Sequence, residues 1–338
     1  MNRIAIVILT VLFLYNTGYA QPRYTNLVFE GAGIRGVAYA GVIQELEQNN
    51  LLTGVTRVGG TSAGAIAALT LALGYSGREI EDIIYKTRMQ QFNDGRFFFA
   101  GGISRMNKHY GWYRGKAFTR WVGNIIDRKT GNADITFRQL HDRGFRDLYV
   151  TGTSLNNQKL VVFSYKSYPD MKIKDAVRVS MSIPLYFEAV CIDSVGRIID
   201  NRRARGNYDI MVDGGFTGNF PIFLFDSLTM VNGMAQRIPD AHTLGFRIDT
   251  PGQIAFDADQ KGIAPVPIAR FKNYMGAFYN FVIENLNRSS LMPHDWQRTV
   301  SISSGNVGPK IRKLSVQEKD SLMHNGQAAL QNYLRVHP

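Results

Sequence analysis

The chain has a single cysteine, Cys191, among 338 residues, so no internal disulfide closes a loop within it. Its stability must therefore come from burial, and a chain of this length with 45% hydrophobic residues is able to bury one large core. Histidine is also scarce, with six residues, and no His/Cys cluster stands at metal-ligand spacing. No regular acidic loop of the calcium-binding kind occurs either, so no metal site is legible in the sequence. After the first twenty residues no stretch approaches eighteen consecutive apolar residues, which excludes a later membrane-spanning helix. Acidic side chains are outnumbered, 27 Asp and Glu against 39 Lys and Arg, leaving a formal charge of +12. That excess favours an anionic partner.

The amino terminus indicates which anion to expect. Met1-Asn2-Arg3 precedes the apolar run Ile4 to Tyr15, and Gly18 and Ala20 supply small residues ahead of a cleavage point. This pattern reads as a signal peptide over residues 1–20, with cleavage near Ala20 and export to the periplasm or the exterior. An exported basic protein meets anionic lipid far more readily than DNA, so a membrane surface is expected and nucleic acid is not.

Asn26 to Glu30 is a short apolar strand, Gly31 to Gly36 a glycine-rich turn, and Val37 to Gln48 a helix with Ala40, Ile43 and Leu46 near helical spacing. A second strand at Val55 to Val58 leads to another turn and a helix from Ala63 to Leu73. Strand, loop, helix, repeated, implies a parallel βαβ unit with its functional loops at the carboxyl ends of the strands. Ser76-Gly77-Arg78-Glu79 is a capping box opening a further helix. From Gln90 to Trp121 the periodicity dissolves into Phe97-Phe98-Phe99, Gly101-Gly102 and Gly111-Trp112-Tyr113, a candidate lid. Later strands are expected at Leu148 to Gly152, Leu160 to Ser164, Ala189 to Asp193, Thr243 to Ile248 and Thr299 to Ile302. Helices are expected at Lys174 to Met181, Phe271 to Leu286 and Val316 to Leu334. One α/β domain over residues 26–226, with residues 227–338 packed on it as a C-terminal extension, is the economical organisation.

The pentapeptide Gly60-Thr61-Ser62-Ala63-Gly64 carries the chemistry. A serine hydroxyl becomes a useful nucleophile when a sharp strand-to-helix turn presents it, and small residues two before and two after permit that turn. Gly31-Ala32-Gly33-Ile34-Arg35-Gly36 matches the opening of a dinucleotide-binding unit. Such a unit needs an acid ending its second strand, and Val58-Gly59-Gly60-Thr61-Ser62 has none there, while Glu45 and Glu47 fall in the intervening helix. The same exposed N–H groups would serve an oxyanion equally well. For a general base, a triad closing on His294 or His324 is formally possible. Asp213 in Val212-Asp213-Gly214-Gly215 is the stronger candidate, although Asp-Gly is also a common turn. Arg35 suits either a salt bridge or a substrate contact. Arg197, Arg202, Arg203 and Arg205, in the loop before Asp213, are candidates for contact with anionic head groups.

These motifs in this order resemble the patatin-like phospholipases, from about Asn26 to Phe225. The family carries D-G-G-G-x-[RK]-G, then G-x-S-x-G, then D-G-[GA] far downstream. The corresponding stretches are Glu30 to Gly36, Gly60 to Gly64 and Asp213-Gly214-Gly215, the last followed by Asn219-Phe220-Pro221. Thr136 to Leu140 and Ser180 to Phe187 are similar as well. Glu30 departs from the usual aspartate and Ala32 from the middle glycine; alanine donates its N–H in such a turn provided its φ is not positive. The resemblance implies an α/β/α three-layer fold with a mainly parallel central sheet. It implies a serine lipid acyl hydrolase of phospholipase A or lysophospholipase type, acting on phospholipid or another acyl-ester lipid. Ser62 would be the nucleophile and Asp213 the proton acceptor, without histidine and with neither metal nor cofactor required. An oxyanion hole would come from Gly31, Ala32, Gly33, Arg35 and Gly36. Acyl transfer on the same scaffold, or silent lipid binding, are the alternatives.

Overall fold

The computed structural model describes residues 23–95, 98–200, 207–309 and 311–337. The expected signal peptide, Phe97 of the aromatic run, and Arg202, Arg203 and Arg205 lie outside the described residues.

The strands are β1 (Asn26–Phe29), β2 (Arg57–Gly60), β3 (Gly111–Tyr113), β4 (Asp147–Ser154), β5 (Lys159–Phe163), β6 (Leu185–Phe187), β7 (Val190–Ile192), β8 (Ile198–Ile199), β9 (Asp209–Asp213), β10 (Ser227–Val231), β11 (Met234–Ile238), β12 (Thr243–Asp249) and β13 (Thr299–Ser303). The helices that matter below are α1 (Ala38–Gln48), α2 (Ala63–Ala72), α3 (Gly77–Lys86), α4 (Phe98–His109), α5 (Lys116–Thr130), α6 (Ile173–Ser180), α7 (Phe271–Arg288) and α8 (Val316–Val336). The central sheet runs β13-β12-β1-β2-β4-β9-β7-β8, with β5 also paired to β4. It is parallel from β13 through β4 and antiparallel beyond, so the expected α/β fold is present with an antiparallel edge added.

Alternation along each strand divides the sheet into two faces. Leu27, Phe29, Leu148 and Val150 join the large core beneath α1, α2, α6 and α8. Val28 and Tyr149 point to the other side, where Phe220, Ile222 and Phe225 cover them. The segment after residue 226 is woven into this sheet: β12 pairs with β1, β13 lies outside β12, and α8 rests on α1. Both helices of that last contact approach through glycine. A Cβ on Gly41 would lie 1.8 Å from the Met323 carbonyl oxygen, and one on Gly326 would lie 2.1 Å from that of Ala38.

Three expectations are revised. The strand expected from Val55 begins at Arg57, because the N–H groups of Thr56 and Arg57 both donate to the Thr25 carbonyl at the strand entry. The stretch expected to be a loose lid is α4, β3 and the start of α5, and the rings of Phe92, Phe118 and Trp121 turn inward. Phe92 and Phe118 are buried and meet edge to face at 5.3 Å, with Trp121 against both, because burial of aromatic area outweighs the glycine-rich local signal. The β10–β11 hairpin was not anticipated, although Asn232 and Gly233 both adopt positive φ in the turn that Asn-Gly favours. Among the described residues no helix is long and apolar enough to cross a membrane.

Candidate active site

Ser62 sits between the end of β2 and the start of α2 with φ 53° and ψ −119°, a conformation that ordinary residues avoid. Several contacts hold it there. The Thr61 hydroxyl lies 2.6 Å from that of Thr151 and donates to the Gly218 carbonyl at 2.7 Å. The Ser62 N–H donates to Ser180 Oγ at 2.8 Å. Gly64 lets the helix start close to β1, since a Cβ there would stand 2.2 Å from the Phe29 carbonyl oxygen. Gly60 is equally crowded, against the backbone of Gly64 itself.

Sheet register brings Asp213 to this serine across 151 positions of sequence. Gly60 pairs with Val150 on β4, so Ser62 is level with Gly152, and Gly152 pairs with Asp213 on β9. The Asp213 carboxylate is buried, accepts the Gly215 N–H at 2.8 Å, and lies close enough to the Ser62 hydroxyl for that group to lower its pKa. Burial pushes its pKa up to about 7, and the Gly215 N–H and the Ser62 hydroxyl restrain the rise. The Asp213 N–H donates to the Ser182 carbonyl at 2.9 Å, and Thr153 Oγ1 donates to the Asp213 carbonyl at 2.9 Å. Gly214 presses on Thr151, where a Cβ would lie 2.4 Å from Oγ1. The Ser62 hydroxyl also reaches Met181 Sδ at 3.3 Å. No histidine borders Ser62: His294 is exposed at the start of a short helix, and His324 lies within α8.

The turn after β1 folds as a 3-10 helix, Gly33–Val37. Its donors are not equivalent. The Gly31 N–H donates to the Asn219 carbonyl at 2.9 Å, and the Arg35 N–H donates to the Ala32 carbonyl at 3.2 Å. Gly36 lies inside the 3-10 helix, close to Ala63. Ala32 and Gly33 keep N–H groups with no protein acceptor among the described residues. Ala32 has φ −131°, so its methyl group costs the turn nothing, whereas Gly33 has φ +56° and needs glycine. Arg35 Nε donates to the Ala32 carbonyl at 3.1 Å, which makes it a brace of the turn.

Glu30 explains its own departure from aspartate. Its carboxylate accepts the Ile248 N–H at 3.0 Å and Asn219 Nδ2 at 3.2 Å, and lies 3.5 Å from Arg247. The longer side chain thereby ties β1 to β12 and to the loop after Asp213. Burial raises its pKa to about 8 despite the Arg247 charge. Asn219 completes the clamp by donating from Nδ2 to the Gly31 carbonyl at 2.9 Å. Thr151 and Thr153 were not singled out from sequence, being short hydroxyl residues recognisable only once the strands are in register, whereas Ser180 and Ser182 stood in the stretch Ser180 to Phe187 with no role attached to either.

Ser62, Gly33 and Ala63 stand on the wall of an apolar cavity of about 110 Å³. It runs between α2 and α3, past Ala67 and Ile83, to the rings of Phe118 and Trp121. Such a space accepts an alkyl chain and offers it almost nothing polar.

A family model for patatin-like phospholipases matches residues 27–226. The uncharacterized protein YqhO of Bacillus subtilis is 31% identical over 212 residues, 60% of this chain and 67% of its own length. The probable lipid hydrolase 463L of Invertebrate iridescent virus 6 is 24% identical over 216 residues, 62% of this chain and 65% of its own. The cGAMP-activated phospholipase of Vibrio cholerae is 24% identical over 270 residues, 74% of this chain and 69% of its own. The match thus spans about two thirds of the length of each relative. Among solved structures, VipD from Legionella pneumophila superimposes with a TM-score of 0.55 at 17% identity, covering 94% of this chain and 67% of that one, a likeness of fold. With the three motifs set in one site and the family model covering more than half of its length, the chain belongs to the patatin-like phospholipase family.

Proposed function

We infer that this protein hydrolyses acyl-ester lipids through a Ser62/Asp213 dyad. The observation that carries this reading is the Ser62 hydroxyl set beside the buried Asp213 carboxylate, close enough to lower its pKa, on the wall of an apolar cavity. In the acylation step Ser62 Oγ attacks the ester carbonyl carbon while its proton passes to Asp213. The carbonyl oxygen takes up the electron pair, and the N–H groups of Ala32 and Gly33, with that of Ala63 at the start of α2, stabilise it. The tetrahedral species collapses, the C–O bond to the leaving alcohol breaks, and that alcohol takes the proton from Asp213. Water then gives a proton to Asp213 and attacks the acyl-serine; fatty acid leaves and Ser62 recovers its proton. The acyl chain occupies the cavity between α2 and α3.

The substrate is most accessible in a bilayer, and the protein offers one an apolar surface. Phe271, Tyr274, Phe278 and Phe281 are exposed on α7. Removal of the leader at residues 1–20 would place the enzyme outside the cytoplasm.

The test is fatty-acid release from phospholipid vesicles as a function of pH. Asp213 must be ionised to act as base, and its raised pKa means that the ionised fraction grows through about pH 7. Turnover should therefore climb tenfold per pH unit below that value and level off above it. Absence of release at every pH from a folded protein would refute the reading. Stability has the opposite dependence. The fold favours the neutral Asp213 carboxyl, so its contribution is complete below the ordinary carboxylate pKa and disappears as pH rises through about 7.

The cavity makes a separate prediction. Ala67, one helical turn beyond Ala63 on the cavity side of α2, leaves the channel open. Ala67→Phe should reduce hydrolysis of long-chain esters about tenfold relative to short-chain ones. Competition between a long- and a short-chain ester in one reaction reads that ratio directly; an unchanged ratio would place the acyl chain elsewhere.

A further inference from the structure

On the antiparallel side of the sheet a second cavity, an open cleft of about 870 Å³, shares no lining residue with the acyl cavity. Six basic side chains line it: Arg105 and His109 from α4, Arg114 from the loop before α5, Lys116 and Arg120 from α5, and Arg178 from α6. Against them stand Glu188 and Asp200. Arg114, Lys116 and Arg120 are exposed and form no ion pair among the described residues. Lys116 and Arg120 are one helical turn apart, on the same side of α5.

Arg178 supplies an independent observation. It is buried, with 5% of its surface exposed, yet no carboxylate of the described residues lies within ion-pair distance. Its guanidinium donates instead to Ser182 Oγ and to the carbonyls of Arg114 at 3.0 Å and Glu188 at 2.9 Å. Of the two acids that act on it, Glu188 stands on the cleft wall beyond ion-pair distance, and Asp94 accepts the N–H groups of Gly115 and Ala117 at 2.7 and 2.9 Å. Gly115 makes room for the guanidinium, since a Cβ there would fall 2.3 Å from Arg178 Nε. A buried cation without a counter-ion is costly to a fold unless something else compensates it.

We propose that this cleft binds a phosphate-bearing anion, with Arg178 at its floor and Arg114, Lys116 and Arg120 at its rim. Planar guanidinium groups match phosphate oxygens in pairs, and a concave site of this size takes a small molecule or a lipid head group rather than a nucleic acid duplex. The assignment does not depend on the ester chemistry at Ser62. Its source is either a soluble phosphate compound or a phosphorylated head group, and the two can be separated experimentally.

Sodium tripolyphosphate titrated calorimetrically into the whole chain serves as the soluble probe. Sedimentation with phosphatidylcholine vesicles, with and without phosphatidylinositol phosphate, serves as the membrane probe. The variant is the pair Lys116→Glu and Arg120→Glu, both exposed and so compatible with folding. The control is Lys313→Glu with Arg335→Glu, before and within α8, which packs on β13 at the opposite edge of the sheet. The expected result is that the cleft pair weakens binding of at least one probe by about tenfold or more, while the control pair changes it by less than about twofold. A loss confined to tripolyphosphate identifies a soluble ligand, and a loss confined to the phosphoinositide vesicles identifies a head group. Binding of neither probe, or equal losses from both pairs as a diffuse basic surface would give, overturns the assignment.

Discussion

Ser62→Ala should reduce fatty-acid release about 10⁴-fold or more, the scale on which loss of a catalytic nucleophile usually falls. The folded state should be nearly unaffected. The positive φ at Ser62 is imposed by its neighbours, and alanine tolerates that conformation about as poorly as serine does. Thr61, Ser180 and Gly64 hold the backbone without using the Ser62 hydroxyl. Asp213→Asn keeps the shape and the acceptor for the Gly215 N–H but removes the proton acceptor, so about 10³-fold is expected. The two losses should not add, because both variants disable one proton transfer. Removing the Ser62 hydroxyl also takes away a group that lowers the Asp213 pKa, so that carboxyl should titrate higher in Ser62→Ala than in the parent. Infrared titration of the carboxyl band, alongside labelling with a fluorophosphonate, would test both points. Labelling retained in Ser62→Ala, or release within tenfold of the parent, would remove Ser62 from the mechanism.

The sequence carried most of this site but little of its assembly. Small residues around Ser62, the donors of the Gly31–Gly36 turn and the Asp213-Gly214 pair are local features, dictated by steric demands within a few residues of the chain. The Ser76 capping box and the helix from Phe271 follow from spacing in the same way. Register is different in kind. That Ser62 comes level with Asp213 depends on β4 lying between β2 and β9, and nothing near either residue encodes that neighbour. For the same reason the hydroxyl of Thr151 was silent in sequence. The antiparallel half of the sheet was read in part: β5 and β7 were expected, whereas β8, two residues long, is too short to show alternation. Between Gln90 and Trp121 the difficulty was energetic. Glycines lowered the local helix signal, while packing of Phe92, Phe118 and Trp121 onto the acyl cavity supplied the order.

The uneven division of labour within the turn after β1 yields the other large effect. Gly33→Ala should lower kcat about 10²- to 10³-fold with little change in KM, and Ala32→Gly by less than about threefold. Gly33 stands at φ +56° with the Pro309 carbonyl oxygen 2.3 Å from where a Cβ would be, so alanine would meet both backbone strain and a collision with main chain. Relief requires the turn or the segment at Pro309 to move, and either shift carries the Gly33 N–H away from the position of the developing oxyanion. A displacement of this kind acts on the transition state far more than on the bound lipid, which is why kcat bears the loss. Ala32 has an ordinary φ, and glycine there keeps the same N–H, so its modest change in rate calibrates what local flexibility alone does. Gly31→Ala is a less informative variant. Its N–H already serves the Asn219 carbonyl, and a Cβ would strike Asn219 Oδ1 at 2.3 Å, so damage there would reflect the clamp between the turn and the Asp213 loop. Stopped-flow burst kinetics with a chromogenic ester would separate the acylation step from product release in these variants. Equal sensitivity at Ala32 and Gly33, or a loss at Gly33 expressed wholly in KM, would show that the turn positions substrate instead of stabilising the oxyanion.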